Sequence, residues 1–291
     1  MLLHHHKAAP VGQSAAPGEP IIEVTGLRAQ FGPDVILDQV SFTVPAGEIM
    51  VIVGGSGCGK STLLKQMIGL YTPAQGAVKI AGVDVHQADS RALAWLRGQI
   101  GVLFQSGALL GSLTLAQNLL LPLEGRAHLS RQMREKLIRM KLGLVNLAGY
   151  ENHMPSELSG GMIKRAGLAR AMVLDPQVLF FDEPGAGLDP ITSAELDELI
   201  LRLNRALGTT MVIVTHELAS IFAIAQRVVM LDKSAKGIIA MGTPAELRDQ
   251  STDSRVRDFF HRRAHPAAAA ETSADPAPRV GGGEPNLRPA G

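Results

Sequence analysis

The sequence is poor in cysteine and contains no long apolar run. Its single cysteine, Cys58, cannot form an internal disulfide, which favours a reducing compartment. No stretch approaches the roughly eighteen consecutive apolar residues that a membrane-spanning helix needs. The first ten residues, MLLHHHKAAP, lack the apolar core of a signal peptide. We therefore expect a cytosolic protein that meets a membrane only through a partner.

An excess of charge of either sign is also missing. The 28 Lys and Arg residues nearly balance the 27 Asp and Glu residues, for a net charge of +1. Domains that bind nucleic acid usually present a strongly basic face, so we predict no nucleic-acid partner. Hydrophobic residues, by contrast, make up 46% of the 291 residues, which is enough for a globular core.

Two segments of biased composition flank the centre of the chain. Residues 1–20 and 264–291 are rich in Pro, Ala and Gly and show no periodicity, which is typical of disordered tails. The sequence therefore predicts one folded domain over residues 21–263. No internal repeat is evident within it.

Short apolar runs alternate with helical patterns inside this domain. The runs EIMVIVG, QVLFFDE, MVIVTHE and VVMLD have the form of buried strands, and IIEVTGLRAQF and VSFTV also indicate strands. A helix is predicted to begin at Lys60, directly after a glycine-rich stretch. The repeated strand–helix order predicts an α/β domain with a mainly parallel sheet.

The middle of the domain departs from this order. From Leu109 to Arg170 the sequence contains no convincing strand, and we predict a helical insertion over about residues 106–170. The segment RQMREKLIRMKLGLVNL has the spacing of an amphipathic helix. The apolar side chains predicted to share one face of this helix are Met133, Leu137, Met140 and Leu144.

Two later helices have predicted start signals. Thr192, followed three places on by Glu195, has the pattern of a capping box before LDELILRLNRAL. Thr243 and Glu246, with Pro244 between them, form the same pattern before AELRDQ.

The glycine-rich stretch GGSGCGKST matches the phosphate-binding pattern G-x-x-x-x-G-K-[ST], with a predicted strand before it and a helix after it. Glycines let the backbone curl until its N–H groups point at phosphate oxygens, and the helix N-terminus adds positive charge. We predict that Lys60 reaches the β- and γ-phosphates and that the Ser61 hydroxyl ligates Mg²⁺. Cys58 fills a variable position of the pattern. The predicted nucleotide-binding residues are Gly54, Gly55, Ser56, Gly57, Cys58, Gly59, Lys60, Ser61 and Thr62.

Two adjacent carboxylates follow the buried strand QVLFFDE. Asp182, at the end of the apolar run, can hold Mg²⁺ from the side opposite Ser61. Glu183, the next residue, can take a proton from an attacking water. Beside the phosphate-binding pattern, these carboxylates predict nucleotide hydrolysis.

A second anion-binding stretch, LSGG at residues 158–161, leads into another predicted helix. At this point the sequence resembles the ATP-binding-cassette (ABC) ATPases, over roughly residues 21–263. The resemblance implies a P-loop NTPase core with a mainly parallel sheet, an N-terminal antiparallel β subdomain and an inserted helical subdomain. It also implies that Ser159, Gly160 and Gly161 close on ATP held by a second copy of the chain, arranged head to tail. A helix N-terminus behind this loop suits a phosphate.

Other landmarks of that family occur in the same order. The resemblance implies that Phe31 stacks on adenine, that Gln105 senses the γ-phosphate and helps to hold Mg²⁺, and that Asp189 lies in the loop that crosses the dimer interface. It further implies that His216 contacts the γ-phosphate. Two residues depart from the family pattern, because Met162 replaces a usual glutamine and Gly185 replaces a common threonine.

The run Met-Ile-Lys-Arg within LSGGMIKRAGLARA, together with FQSGALLGSLTLAQNLLLPL, resembles the ATPases of MCE-type phospholipid transporters. This resemblance implies ATP hydrolysis that powers phospholipid transport, at the cytoplasmic face of the inner membrane. The implied partners are a multi-spanning permease, a periplasmic MCE-domain protein and, in some members, a STAS-domain protein.

Three alternatives are compatible with parts of the same pattern. An importer ATPase for polar amino acids or another small solute would differ mainly in its partners. A DNA-maintenance ATPase would carry a long coiled coil, and no heptad run separates Gln105 from Leu158. A regulator that binds nucleotide without hydrolysis is disfavoured by the presence of both Glu183 and His216.

Overall fold

The computed structural model describes residue 16 and residues 18–125 and 129–263. The predicted disordered tails lie outside these ranges, apart from the last few residues of the first tail. The strands are β1 (Pro20–Phe31), β2 (Asp34–Pro45), β3 (Ile49–Gly54), β4 (Gln75–Ile80), β5 (Val83–Asp84), β6 (Ile100–Leu103), β7 (Val178–Asp182), β8 (Thr210–Val214), β9 (Arg227–Asp232) and β10 (Gly237–Gly242). The α-helices are α1 (Lys60–Met67), α2 (Ser90–Leu96), α3 (Leu115–Leu120), α4 (Arg131–Leu144), α5 (Gly160–Ala171), α6 (Pro190–Leu207), α7 (Leu218–Ile224), α8 (Pro244–Asp249) and α9 (Ser254–Phe260).

The strands form two sheets. One has the order β2-β1-β4-β5, and its pairs are antiparallel. The other has the order β10-β9-β3-β8-β7-β6, and only its β10–β9 pair is antiparallel. The predicted α/β fold with a mainly parallel sheet and an N-terminal antiparallel part is thus confirmed.

The parallel sheet brings the ends of three strands to one edge. β3 and β8 are buried along their whole length, and β7 is buried up to Asp182, which explains their unbroken apolar sequences. In the register of the sheet, Asp182 lies beside Val214, and Ile52 lies beside Val214 on its other side. The loops that follow Gly54, Asp182 and Val214 therefore leave the sheet at the same edge, where ligands of open α/β sheets bind.

The described residues between β6 and β7 contain helices and no strand, as predicted for the helical insertion. The predicted amphipathic helix is α4, and the four side chains predicted to share a face are buried to different degrees. Leu137 and Leu144 pack against the core, but Met133 and Met140 are about half exposed. The residues that α4 buries are Ile138, Lys141 and Leu142.

One predicted helix start is confirmed and one is wrong. Thr243 and Glu246 form the expected capping box at α8. Helix α6, however, begins before Thr192, because Asp189 caps it and Pro190 occupies its first position. Thr192 lies inside the helix and its hydroxyl donates a hydrogen bond to Asp189. In the described part of the chain, no helix combines the length and apolar character needed to cross a bilayer.

Candidate functional site

The Gly54–Thr62 loop joins β3 to α1 in a conformation that only glycine permits at two points. Gly54 has φ +147°, and a Cβ there would lie 2.3 Å from the Leu231 carbonyl oxygen. Gly59 has φ +99°, and a Cβ would lie 2.8 Å from Leu37 Cδ2. A side chain at either position would therefore clash with the fold. Added Cβ atoms at Gly55 and Gly57, by contrast, would meet nothing within 4 Å, so this side of the loop is open.

Lys60 and Ser61 begin α1 and point back across this loop. The Lys60 Nζ donates hydrogen bonds to the carbonyl oxygens of Gly54, at 2.8 Å, and Gly55, at 3.1 Å. The Ser61 hydroxyl donates to Asp182 Oδ1 at 3.4 Å, which joins the ends of α1 and β7. The sequence predicted this juxtaposition of hydroxyl and carboxylate, and the structure brings them together.

The oxygen donors at this point fit Mg²⁺. Magnesium prefers oxygen ligands and is commonly held by one or two protein groups together with substrate phosphates and water. Ser61 and Asp182 supply such a pair. The described residues contain no cluster of three or more His, Cys, Asp or Glu side chains that could hold a metal without a substrate.

Glu183 follows Asp182 and faces His216, which lies in the loop after β8. Glu183 has a positive φ of 49°, and its N–H donates to Val214. The His216 Nδ1 lies 3.0 Å from Oε1 of Glu183 in hydrogen-bond geometry. It also lies 2.9 Å from Oε2, but that buried oxygen has no hydrogen-bond partner among the described residues. Because an ionised carboxylate can only accept, the Nδ1 of His216 carries the hydrogen in this pair. Glu183 thus retains an oxygen that can accept a proton.

Cys58 lies inside the loop but is not available for chemistry. Its side chain is buried, and burial raises the pKa of its thiol, against the opposing effect of Lys60. A buried thiol with a raised pKa is a poor nucleophile. This agrees with the prediction that Cys58 only fills a variable position.

The second predicted anion-binding loop is exposed in this single chain. Ser159 caps α5 by accepting a hydrogen bond from the Met162 N–H at 3.3 Å, and Ser159 and Gly160 face solvent. Gly161 packs against α6, since a Cβ there would lie 2.5 Å from Thr192 Cγ2. No hydrogen bond among the described residues joins this loop to the Gly54–Thr62 loop. Ser159 and Gly160 therefore lie at a surface where another chain can reach them.

Asp189 lies close to this second loop at the start of α6. Its carboxylate accepts from the N–H groups of Ile191 and Thr192 and from the Thr192 hydroxyl. These hydrogen bonds, that of the Thr192 side chain first, lower the pKa of Asp189. Asp189 is thus ionised and fixed as a helix cap, on the surface next to Gly161.

Phe31 ends β1 and is 49% exposed, as a residue that stacks on a base must be. Tyr71 packs edge-on against it, with ring centroids 5.7 Å apart and ring planes at 81°. Lys65 lies 5.4 Å from the centre of the Tyr71 ring. Tyr71 was not predicted from the sequence, although the nearby turn residues Gly69 and Pro73 indicate an exposed loop.

Gln105 lies in an exposed turn directly after β6. Its carbonyl oxygen accepts a hydrogen bond from the buried ammonium of Lys164 on α5. Lys164 was not predicted from the sequence to belong to the site. The signal was the spacing of Gly161, Lys164 and Gly167, because small residues three places on either side place this lysine on a close-packed face.

Glu217 was also missed, and it explains the departure at Gly185. The Ser193 hydroxyl donates to Glu217 Oε2 at 3.1 Å. A Cβ at residue 185 would lie 2.7 Å from that hydroxyl and 2.9 Å from that carboxylate oxygen. The threonine common in the family therefore does not fit beside this pair.

Comparisons with known proteins agree with this geometry. A model of the ABC transporter family matches residues 37–186. The probable ribonucleotide transport ATP-binding protein Mkl of Mycobacterium tuberculosis H37Rv is 43% identical over 244 residues, which cover 83% of this chain and 67% of Mkl. The intermembrane phospholipid transport system ATP-binding protein MlaF of Haemophilus influenzae is 41% identical over 240 residues, covering 82% of this chain and 90% of MlaF.

A solved structure has the same fold as this chain. The dimeric post-hydrolysis state of the ATP-binding cassette MJ0796, bound to ADP and Pi, matches with a TM-score of 0.68 and 29% identity. The match covers 76% of this chain and 98% of that cassette. Together with the family model and the two relatives, it shows that this chain belongs to the ABC transporter family, as one of its ATP-hydrolysing subunits.

Proposed function

We propose that this chain hydrolyses ATP to power phospholipid transport between bacterial membranes, through a separate permease and an MCE-domain protein. The observation that carries the proposal is the similarity to MlaF, which extends over 82% of this chain and 90% of MlaF at 41% identity. The Met-Ile-Lys-Arg run that follows LSGG supports the same branch of the family.

The nucleotide would be held by the Gly54–Thr62 loop. The backbone N–H groups of the loop and the Lys60 ammonium would bind the phosphates, and Phe31 would stack on the adenine. Ser61 and Asp182, with Gln105, would hold Mg²⁺. When bound, Mg²⁺ neutralises charge that develops on the transferred phosphoryl group.

Glu183 would act as the general base for the attacking water. Its Oε2 is buried and has no hydrogen-bond partner among the described residues, while its Oε1 is bound by His216. His216 therefore orients the carboxylate through Nδ1 and leaves Nε2 for the γ-phosphate. A base held by a second group is the usual arrangement for proton transfer from a bound water.

The complete site would need a second copy of the chain. Ser159 and Gly160 are exposed next to Asp189, while Gly161 is buried against α6. No hydrogen bond among the described residues joins this loop to the chain's own phosphate loop. In a head-to-tail dimer the Ser159–Gly161 loop would close on the γ-phosphate held by the partner. The dimeric state of MJ0796, which is 29% identical, supports this arrangement.

A small polar solute is the competing cargo, because Mkl is named as a probable ribonucleotide transport protein. The ATP site would be the same for either cargo, because the residues that bind and hydrolyse ATP do not contact the cargo. Only the membrane partners distinguish them. Attachment to the cytoplasmic face of the inner membrane, and binding of a STAS-domain protein, belong to the proposal for phospholipid.

The test is to isolate the affinity-tagged chain from its native membranes in mild detergent and to identify co-purifying proteins and lipids by mass spectrometry. Glu183→Gln is the matched variant, because slow hydrolysis should hold the ATP-bound complex together. A multi-spanning permease with an MCE-domain protein, and phospholipid enriched over bulk membrane, is the expected result. A permease with a solute-binding protein would overturn the phospholipid proposal and leave the ATPase chemistry intact.

A further inference from the structure

Lys164 is a buried cation that the proposed hydrolysis does not use. Its side chain on α5 is only 6% exposed. Burial lowers the pKa of its ammonium, while the nearby carboxylates of Glu183 and Glu217 act in the opposite direction. The Nζ donates a hydrogen bond to the backbone carbonyl of Gln105. A buried charge needs such a partner, because desolvation without one is costly.

Arg170, six residues further along α5, bonds to the same turn. Its Nη1 donates to the Ala108 carbonyl at 2.7 Å and its Nη2 to the Gly107 carbonyl at 3.4 Å. Both cations therefore bind main-chain oxygens of the turn 105–108 rather than side chains. Hydrogen bonds to main-chain oxygens hold the backbone of the turn in place and do not depend on the conformations of its side chains.

Two glycines bring the turn and the helix into direct contact. A Cβ on Gly167 of α5 would lie 2.8 Å from the Gly107 carbonyl oxygen and 2.8 Å from Leu103 Cδ1. A Cβ on Gly107, which has φ +76°, would lie 2.9 Å from Ile163 Cγ2. Close-packed backbones of this kind leave no room for the turn to slide along α5.

The two ends of this packed unit face different nucleotides under the proposed function. The turn carries Gln105, which would sense the γ-phosphate of the chain's own ATP. Helix α5 begins at the exposed Ser159 and Gly160, which would close on the partner's ATP. Packed side chains, hydrogen bonds and rigid helices of this kind can carry coupling between two sites.

We propose that Lys164 is a positioning residue that fastens the Gln105 turn to α5, so that capture of the partner's ATP by the Ser159–Gly161 loop sets the position of Gln105 in the chain's own site. This inference rests on the proposed function. Lys164 acts through Gln105 and does not itself touch the nucleotide.

The first readout is ATP hydrolysis by the purified full-length chain with Mg²⁺. Lys164→Met removes the donor, and misplacement of Gln105 should lower kcat on the order of 10- to 100-fold. The KM for ATP should change little, because Lys60 still binds the phosphates and Ser61 and Asp182 still hold Mg²⁺ when Gln105 is displaced. Lys164→Arg keeps a buried donor and should restore most of kcat. Lys79→Met, at an exposed lysine of β4, is the matched control.

A second pair of variants keeps the test decisive if Lys164→Met does not fold. Gly167→Ala removes no charge but pushes Gly107 away from α5, and it should also lower kcat without a change in KM. Gly143→Ala on α4 is its control, because a Cβ there meets nothing within 4 Å. Wild-type kcat in folded Gly167→Ala would overturn the inference.

The direct readout is the mobility of the turn. A spin label on Ser106→Cys would report it, since Ser106 is exposed and Cys58 is buried. Lys164→Met should raise the label's mobility and Lys164→Arg should not. Unchanged mobility in Lys164→Met would overturn the inference even if kcat falls. An unsubstituted chain that does not hydrolyse ATP would instead overturn the proposed function.

Discussion

The Nδ1 of His216 lies 3.0 Å from Oε1 of Glu183, so the ends of β7 and β8 are joined by a side-chain hydrogen bond. Neither residue lies inside its strand. Glu183 leaves β7 through a positive φ, and His216 follows Thr215 in the loop before α7. The pair therefore depends on parallel pairing of β7 with β8, which places the two loops side by side. We expect the two side chains to act as one unit in hydrolysis.

Glu183→Gln should bind ATP but hydrolyse it very slowly. The amide keeps the size of the side chain but cannot accept a proton, and loss of a general base costs on the order of 10²- to 10⁴-fold in kcat. Phosphate release measures the rate, and light scattering with Mg-ATP should show a longer-lived dimer. Glu195→Gln, at an exposed carboxylate of α6, is the control. Turnover at the wild-type level would remove Glu183 from the role of base.

The double variant Glu183→Gln/His216→Ala should be no slower than the worse single variant, within about threefold. Residues that act as a unit give strongly non-additive effects, because loss of either disables the same step. Steady-state kcat of the two single variants and the double variant measures this. If the two losses multiply, His216 contributes independently of its hydrogen bond to Glu183.

Gly185→Ala should destabilise the chain and slow hydrolysis. Its Cβ would lie 2.7 Å from Ser193 Oγ and 2.9 Å from Glu217 Oε2, so the hydrogen bond between them must lengthen or break. Overpacking of this kind costs about 1–3 kcal/mol. Urea unfolding measures the loss. Gly111→Ala is the control, since a Cβ there meets nothing within 4 Å. Equal midpoints for both variants would show that the site at Gly185 accommodates a larger residue.

Much of the fold could be predicted because burial in the core requires apolar residues, which leaves a recognisable pattern in the sequence. The strands β3, β7 and β8 are covered on both faces, so their sequences are continuous apolar runs that are easily identified. The face of α4 was harder, because Met133 and Met140 share the helical period but lie at the edge of the packed face. Helix α6 has two possible N-cap residues, Asp189 and Thr192. Asp189 is the stronger start signal because a proline follows it, and proline favours the first position of a helix.

The candidate site likewise contains residues that the sequence predicts and residues that it does not. Residues in a contiguous motif, such as Lys60 and Ser61, are predictable because their geometry is set by the loop that contains them. Lys164 and Glu217 act through contacts with residues distant in the chain, Gln105 and Ser193. Such contacts depend on how α5 and α6 pack. The glycine spacing around Lys164 indicates a close-packed face but does not identify the residue that the lysine contacts.

Outside the site, a buried lysine pairs with an exposed aspartate. Lys141 on α4 is 1% exposed and bonds to Asp175, which follows α5 with a positive φ of 52°. Asp175→Asn tolerates that backbone conformation but removes the charge that faces the ammonium. We expect a loss of about 1–2 kcal/mol in the free energy of unfolding, since hydrogen bonds to charged groups are worth more than neutral ones. Water reaches the largely exposed Asp175, which keeps the loss at this modest level.

Lys141→Met provides the decisive comparison, because it removes the buried charge that needs a partner. An apolar side chain of similar length avoids the cost of burying the ammonium, and the exposed Asp175 carboxylate that remains is solvated by water. The urea midpoint of Lys141→Met should therefore equal or exceed that of Asp175→Asn, and the double variant should match Lys141→Met within about 0.5 kcal/mol. If Asp175→Asn lowers the midpoint equally with and without Lys141, then the ion pair contributes nothing to stability.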